Sequence, residues 1–199
     1  MSTVPTTAPE EPAKIGAFGR LIGVVMSPGE TFADIARKPS WIVPWIFLTL
    51  TGLAISYALV QRVDWVEAQR TQMERVPMAA RQLEQLPPEQ REAALQRGAT
   101  QAKVMRYVRG AVGSLLLIVI MGGIYLGAFN LVGGAGLNYK TACTMVAYAH
   151  VPLGLRELIG VPIVFLKEAG TVDAENFLAS NLAAFLPSNA KLWQVALGA

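Results

Sequence analysis

Two long runs without a formal charge constrain this chain more than any other feature. Ile42–Val60 reads IVPWIFLTLTGLAISYALV, and Ala111–Val132 reads AVGSLLLIVIMGGIYLGAFNLV. Each is close to the ~20 apolar residues that a helix needs to cross ~30 Å of hydrocarbon. Inside a bilayer every backbone N–H and C=O must be satisfied within its own segment, which makes both runs helices. Trp41 and Trp45 stand at the leading edge of the first run, where indoles favour the headgroup boundary. Pro44 falls in its first turn, where a missing N–H breaks nothing. Composition agrees. Hydrophobic residues make up 53 % and charged residues 16 %, with a mean hydropathy of +0.39, whereas a soluble domain carries roughly 25 % charge. The chain therefore reads as all-α, a polytopic helical membrane protein with room for a single domain in 199 residues.

The flanks refine that picture. Residues 1–13 are polar and rich in Thr and Pro, and read as a disordered tail with no secretory signal. From Lys14, Ile15, Phe18, Leu21, Ile22 and Val25 recur at helical spacing, with Arg20 off that stripe. Ser27-Pro28-Gly29-Glu30 then carries a helix-start signature, with Ser27 as N-cap, Pro28 at the first helical position and Glu30 at the third. Residues 14–38 thus predict two short amphipathic helices suited to the membrane interface.

Gln61–Gly110 is of another kind, with nine Lys/Arg and six Asp/Glu. It predicts a solvated helical hairpin joined at Leu86-Pro87-Pro88, its second helix running on into the second span. In that span Gly123 and Gly127 form a small-xxx-small pair, and Gly122 widens the flat face, which suits close helix packing within the chain more readily than between copies. A third embedded segment, 141–166, is apolar but holds His150 and Pro152, then Arg156-Glu157, and predicts a kink near Pro152. A short helix is expected around Ala174–Phe185. Residues 191–199 read as the start of a further span, so the chain is expected to stop short of a full domain.

No familiar catalytic arrangement is present in the sequence. His150 is the sole histidine, which excludes HExxH, and neither a GxxxxGK phosphate loop nor a GxSxG elbow occurs. The basic residues are interleaved with acids and lack an aromatic platform, which argues against nucleic acid. Cys143 reads as a small buried hydrophobe. No cofactor or metal site is expected. Charged groups within a bilayer are costly and usually face a partner or a cavity, so Tyr148, His150, Arg156 and Glu157 form the candidate polar site, with Asn130 as a further contributor. The competing reading has Pro152 break the segment and Arg156-Glu157 lie near the interface.

Two stretches resemble a known family. MSPGETFADIARKPSWIVPWIFL is similar to the segment that leads into the first span of the Yip family, membrane proteins that interact with Ypt/Rab GTPases and are also widespread in bacteria. The matching residues are Ser27, Pro28, Phe32, Ile35 and Pro39. GGAGLNYKTACTMVAYAHVPLGLREL resembles a second family segment through Gly133, Gly134, Tyr139, Ala147, Tyr148, Ala149 and Pro152. The resemblance implies a five-span helical domain with a cytoplasmic N-terminus, and a bacterial inner-membrane location for a chain of this type.

Orientation is contested within the sequence. Four Lys/Arg precede the first span and nine follow it, so the positive-inside rule places the hairpin in the cytoplasm, whereas the resemblance places the N-terminus there. A 40-residue N-terminal stretch without an export signal favours the N-terminus inside. The function expected is that of a non-catalytic protein organising lipids, protein partners or further copies of itself in the bilayer. A small transporter or channel component is the alternative, and an intramembrane enzyme has only the same polar residues to recommend it.

Overall fold

The structure is a computed structural model that describes residues 15–174 and 177–178. The sequence readings for residues 1–13 and 191–199 lie outside the described residues, as does most of the helix expected around Ala174–Phe185. Within them the chain is all-helical. Eight helices follow in order: α1 (Ala17–Met26), α2 (Pro28–Arg37), α3 (Ile42–Arg62), α4 (Trp65–Glu74), α5 (Pro77–Glu84), α6 (Pro88–Leu131), α7 (Tyr139–Ala149) and α8 (Val151–Leu166). Three stretches are long and apolar enough to cross a membrane: α3, α6, and α7 with α8 taken together.

Contacts divide the chain into two compact units, Met1–Gly52 with Ala111–Leu155, and Leu53–Gly110 with Arg156–Ala199. In the first unit the α3 residue Leu48 packs with Ile118 of α6 and with Cys143, Val146 and Ala147 of α7. Hydroxyls reinforce this packing, with Thr49 Oγ1 and Ser114 Oγ 2.8 Å apart. The Trp41 and Trp45 rings lie 5.7 Å apart, tilted by 56°.

Close approach of α6 to α7 depends on Gly122. A Cβ there would meet Cys143 Sγ at 2.6 Å and its Cα at 3.3 Å. Gly123 has only the edge of the Tyr139 ring at 4.0 Å, and Gly127 has nothing within 4 Å. Of the small-residue face expected from the sequence, Gly122 makes the close packing within the chain, and the Gly123–Gly127 pair does not. Outward from it, Leu116, Val119, Ile120, Ile124 and Phe129 are exposed, and only 11 % of the apolar window of α6 is buried. That surface suits lipid rather than water.

The connection to α7 turns on Gly134 and Gly136, whose φ values of 59° and 61° lie in the left-handed region that glycine adopts without a Cβ penalty. Asn130 holds this turn by a reciprocal pair of hydrogen bonds with Leu137. Its Nδ2 donates to the carbonyl at 2.8 Å, and its Oδ1 accepts from the amide at 2.7 Å. Asn138 then caps α7 by accepting from Thr141 N at 2.9 Å.

In the second unit, Ile55, Ala58, Leu59 and Val63 form a core with Trp65, Ala99, Val164, Val172 and Phe177. Asp64 caps α4 by accepting from Val66 N and Glu67 N at 3.0 and 3.1 Å. Three helical pieces stand where the sequence predicted two. Val76-Pro77 ends α4's run, because Pro77 cannot donate to the preceding turn and instead opens α5. Arg91 then closes α5, donating to the carbonyls of Leu83 at 3.2 Å and Glu84 at 2.9 Å, the C-terminal groups that have no partner inside the helix. From Pro88, α6 runs on unbroken for 44 residues.

Candidate functional site

Short helices α1 and α2 are set by an ion pair. Arg20 Nε donates to Asp34 Oδ2 at 2.9 Å, and both side chains are almost wholly buried. The same guanidinium donates to two backbone carbonyls near the end of α2, Lys38 at 2.9 Å and Asp34 at 3.2 Å. Arg20 is therefore both the counter-charge of Asp34 and a cationic cap at α2's negative end. The helices cross at Gly23, where a Cβ would collide with Thr31 Oγ1.

This arrangement turns α1 inside out. Its lone charge faces the protein beside Val24, while Phe18, Ile22, Val25 and Met26 are exposed, Phe18 at 79 % and Met26 at 76 %. The apolar stripe was legible in the sequence, but not that it faces away from the protein. Arg20 and Asp34 were missed as a pair. The available signal was Thr31, Asp34 and Ile35 sharing one face of α2 at i, i+3, i+4.

The buried face of α2 also meets α7 and the start of α8. Ile35 and Tyr148, both fully buried, cluster with Val24 and Val151, and Leu21, Phe32, Phe47 and Leu155 pack around them. The Tyr148 hydroxyl is shielded from solvent without a hydrogen-bond partner among the described residues. The helix-start residues play different parts here. Ser27 holds the N-cap position of α2 and Glu30 sits in its first turn, yet the Ser27 side chain makes no cap bond. Ser27 N still completes α1 by donating to Gly23 O at 2.8 Å, and its carbonyl accepts from Thr31 Oγ1 at 2.9 Å. Ending one helix fixes a backbone angle (ψ of 65°) unlike the extended geometry usual at an N-cap.

The four candidate polar residues divide between the two units. Tyr148 lies in the cluster just described. His150 occupies the break between α7 and α8, with Nδ1 2.8 Å from Val146 O. A carbonyl only accepts, so Nδ1 carries the proton. The break comes at His150 rather than Pro152, which falls in the first turn of α8. In the other unit, the Arg156 guanidinium carbon lies 4.8 Å from the centre of the Phe177 ring, a cation–π distance. Glu157 beside it is half-buried. Among the described residues no three His, Cys, Asp or Glu side chains are gathered to hold a metal ion.

The segments that meet at Ile35 and Tyr148 are the two stretches on which the family resemblance rests. A family model, the Yip1 domain, matches residues 22–199. The chain belongs to the Yip1 domain family. It is a membrane protein of that family, with three membrane-length apolar helical stretches among the described residues. No curated protein and no solved structure matches it. The Yip1 match begins two residues after Arg20, so it takes in Asp34 and Tyr148 but not the guanidinium that clamps α1 to α2.

Proposed function

We propose that this Yip1-family chain is a non-catalytic protein that organises lipids, and through them membrane partners, with α1 lying in the plane of the bilayer surface. The inverted face of α1 carries this reading. A helix that buries its one charge and exposes Phe18, Ile22, Val25 and Met26 gains from an apolar phase and loses in water. The bilayer that receives α3 and α6 supplies that phase beside it. The cell membrane is the location that fits, a bacterial inner membrane with the N-terminus in the cytoplasm. The test is an environment-sensitive dye on Ile22→Cys of the full chain in proteoliposomes, Cys143 being buried. Quenching by lipids brominated near the headgroup is expected. Quenching by aqueous iodide instead would show α1 standing in water and remove the reading.

A transporter or channel component is the second reading, favoured by adjacent Arg156 and Glu157 on an apolar helix and by the polar residues Tyr148 and His150 ahead of them. Saturable uptake by proteoliposomes of the parent, abolished by His150→Ala or Glu157→Gln, would establish transport and displace the first reading. Background flux in all three would remove transport.

A further inference from the structure

The lipid-facing row of α6 does not stop where its uncharged run begins. Val112, Leu116, Ile120 and Ile124 are exposed at four-residue spacing, and the same spacing carries back through Val108 to Val104. Four residues make a little over one helical turn, so these side chains form one slightly inclined row. Val104 and Val108 stand among Lys103, Arg106 and Arg109, on a stretch that the sequence assigned to solvent. Within the second unit, α3 ends its own uncharged run at the same height. Ser56 Oγ donates to Arg106 O at 3.1 Å, and that run continues four residues past Ser56, to Val60. Because α6 returns antiparallel, with Ala99 in the core that holds Leu59 and Val63, Val60 falls level with the turn that contains Val104. On α8, Leu158, Ile159, Phe165 and Leu166 are exposed beyond Glu157, toward the same end.

The charges on this stretch are disposed to permit hydrocarbon around it. Side chains on a helix tilt toward its N-terminus, which on α6 is the side of the charged connection. The exposed Lys103 and Arg109 therefore lay their stems along apolar surface and carry their heads outward to the headgroups. Arg106 is turned inward instead. It is half-buried, and its Nε is shielded from solvent without a hydrogen-bond partner among the described residues. Ala102 of α6 and Val161 of α8 pack against one core, and the next turn of each helix away from the charged connection carries Arg106 and Glu157. Arg109 repels the Arg106 guanidinium, and Glu157 attracts it. A charge within a bilayer is costly unless it faces the protein interior and an opposite charge.

We infer that the hydrocarbon of the bilayer meets α6 from Val104 rather than from Ala111, about 10 Å further toward the charged connection, and that Arg106 is a membrane-embedded guanidinium with Glu157 as its counter-charge. The surface is separate from α1 and stands wherever α1 lies.

The test uses the full chain in phosphatidylcholine proteoliposomes, with an environment-sensitive dye on Val104→Cys, Val108→Cys or Gln96→Cys, all exposed positions, Cys143 being buried. Iodide on both sides of the bilayer is excluded from hydrocarbon, so it should quench the dye at 96 about threefold more than at 104 or 108. Lipids brominated at shallow acyl positions should give the reverse order. Equal iodide quenching at all three positions would return the stretch to water and overturn the inference. A second arm reads the charges. Glu157→Gln strands Arg106, so it should lower the melting temperature by about 10 °C in the parent and by less than half of that on an Arg106→Gln background. The same loss in both backgrounds would remove Glu157 as the counter-charge. The dye positions face away from the core, so the first arm decides the boundary even where Glu157→Gln does not fold.

Discussion

Arg20 Nε and Asp34 Oδ2 meet at 2.9 Å across two short helices, with side chains 5 % and 4 % exposed. A buried pair of this kind is a poor source of net stability but costly to break, because removing one partner strands the other's charge away from water. Asp34→Ala is therefore expected to destabilise the protein by about 3–5 kcal/mol, and Arg20→Met with Asp34→Leu by far less. Thermal unfolding of both in the same detergent checks the order. Equal loss in the two would mean that the pair does not act as a buried charge couple.

Gly122 and Gly127 share a helix but not a role. Gly122→Ala drives a Cβ against Cys143, and a loss of about 1–3 kcal/mol is expected. Gly127→Ala has open space around it and exchanges a weak helix former for a strong one, so stability should hold or rise by about 0.5–1 kcal/mol. Adding Cys143→Gly should recover part of the Gly122→Ala loss. A cycle without coupling between those two positions would show that the contact is not what α7 relies on.

Asn130 tethers the glycine turn from both ends of its amide. Asn130→Leu keeps the volume and removes both bonds to Leu137, leaving a half-buried amide and carbonyl to find water. Roughly 1–3 kcal/mol of destabilisation is expected, with cleavage by a soluble protease rising first at 133–136. Unchanged cleavage there would show that the turn is held by other means.

The side of the bilayer facing the charged connection is open to a direct measurement. With the N-terminus in the cytoplasm, Gln82→Cys and Gln96→Cys, both exposed, should react with an impermeant maleimide added outside intact cells. Reaction only after the cells are opened would reverse the orientation.

Much of this architecture was legible in the sequence, and the misses share a cause. The runs at Ile42 and Ala111 announced their helices because a bilayer demands length and lack of charge, both one-dimensional properties. Rotation about a helix axis is not. One residue turns 100°, so choosing Gly122 over Gly123 needs the neighbouring helix, which no periodicity within α6 supplies. The direction of α1's apolar stripe is the same problem, decided by an aspartate on another helix. The break in the third segment was placed within two residues, since Pro152 needs only to fall in a first turn and His150 supplies the end before it. Val76-Pro77 carried as plain a breaker as Pro87-Pro88, but the charges around it read as continuous helix. The Ile35–Tyr148 contact was hinted at only because both residues stand in stretches that resemble one family.

That contact also has a consequence in time. Arg20 finds Asp34 within 14 residues, so α1 and α2 can lock together early in synthesis. Ile35 must wait for Tyr148, more than a hundred residues later. At about 5–20 residues per second that interval lasts roughly 6–20 s, during which the inner side of α2 has no cover. The first two helices are thus an early, self-sufficient piece, and the third segment is the late arrival that seals them.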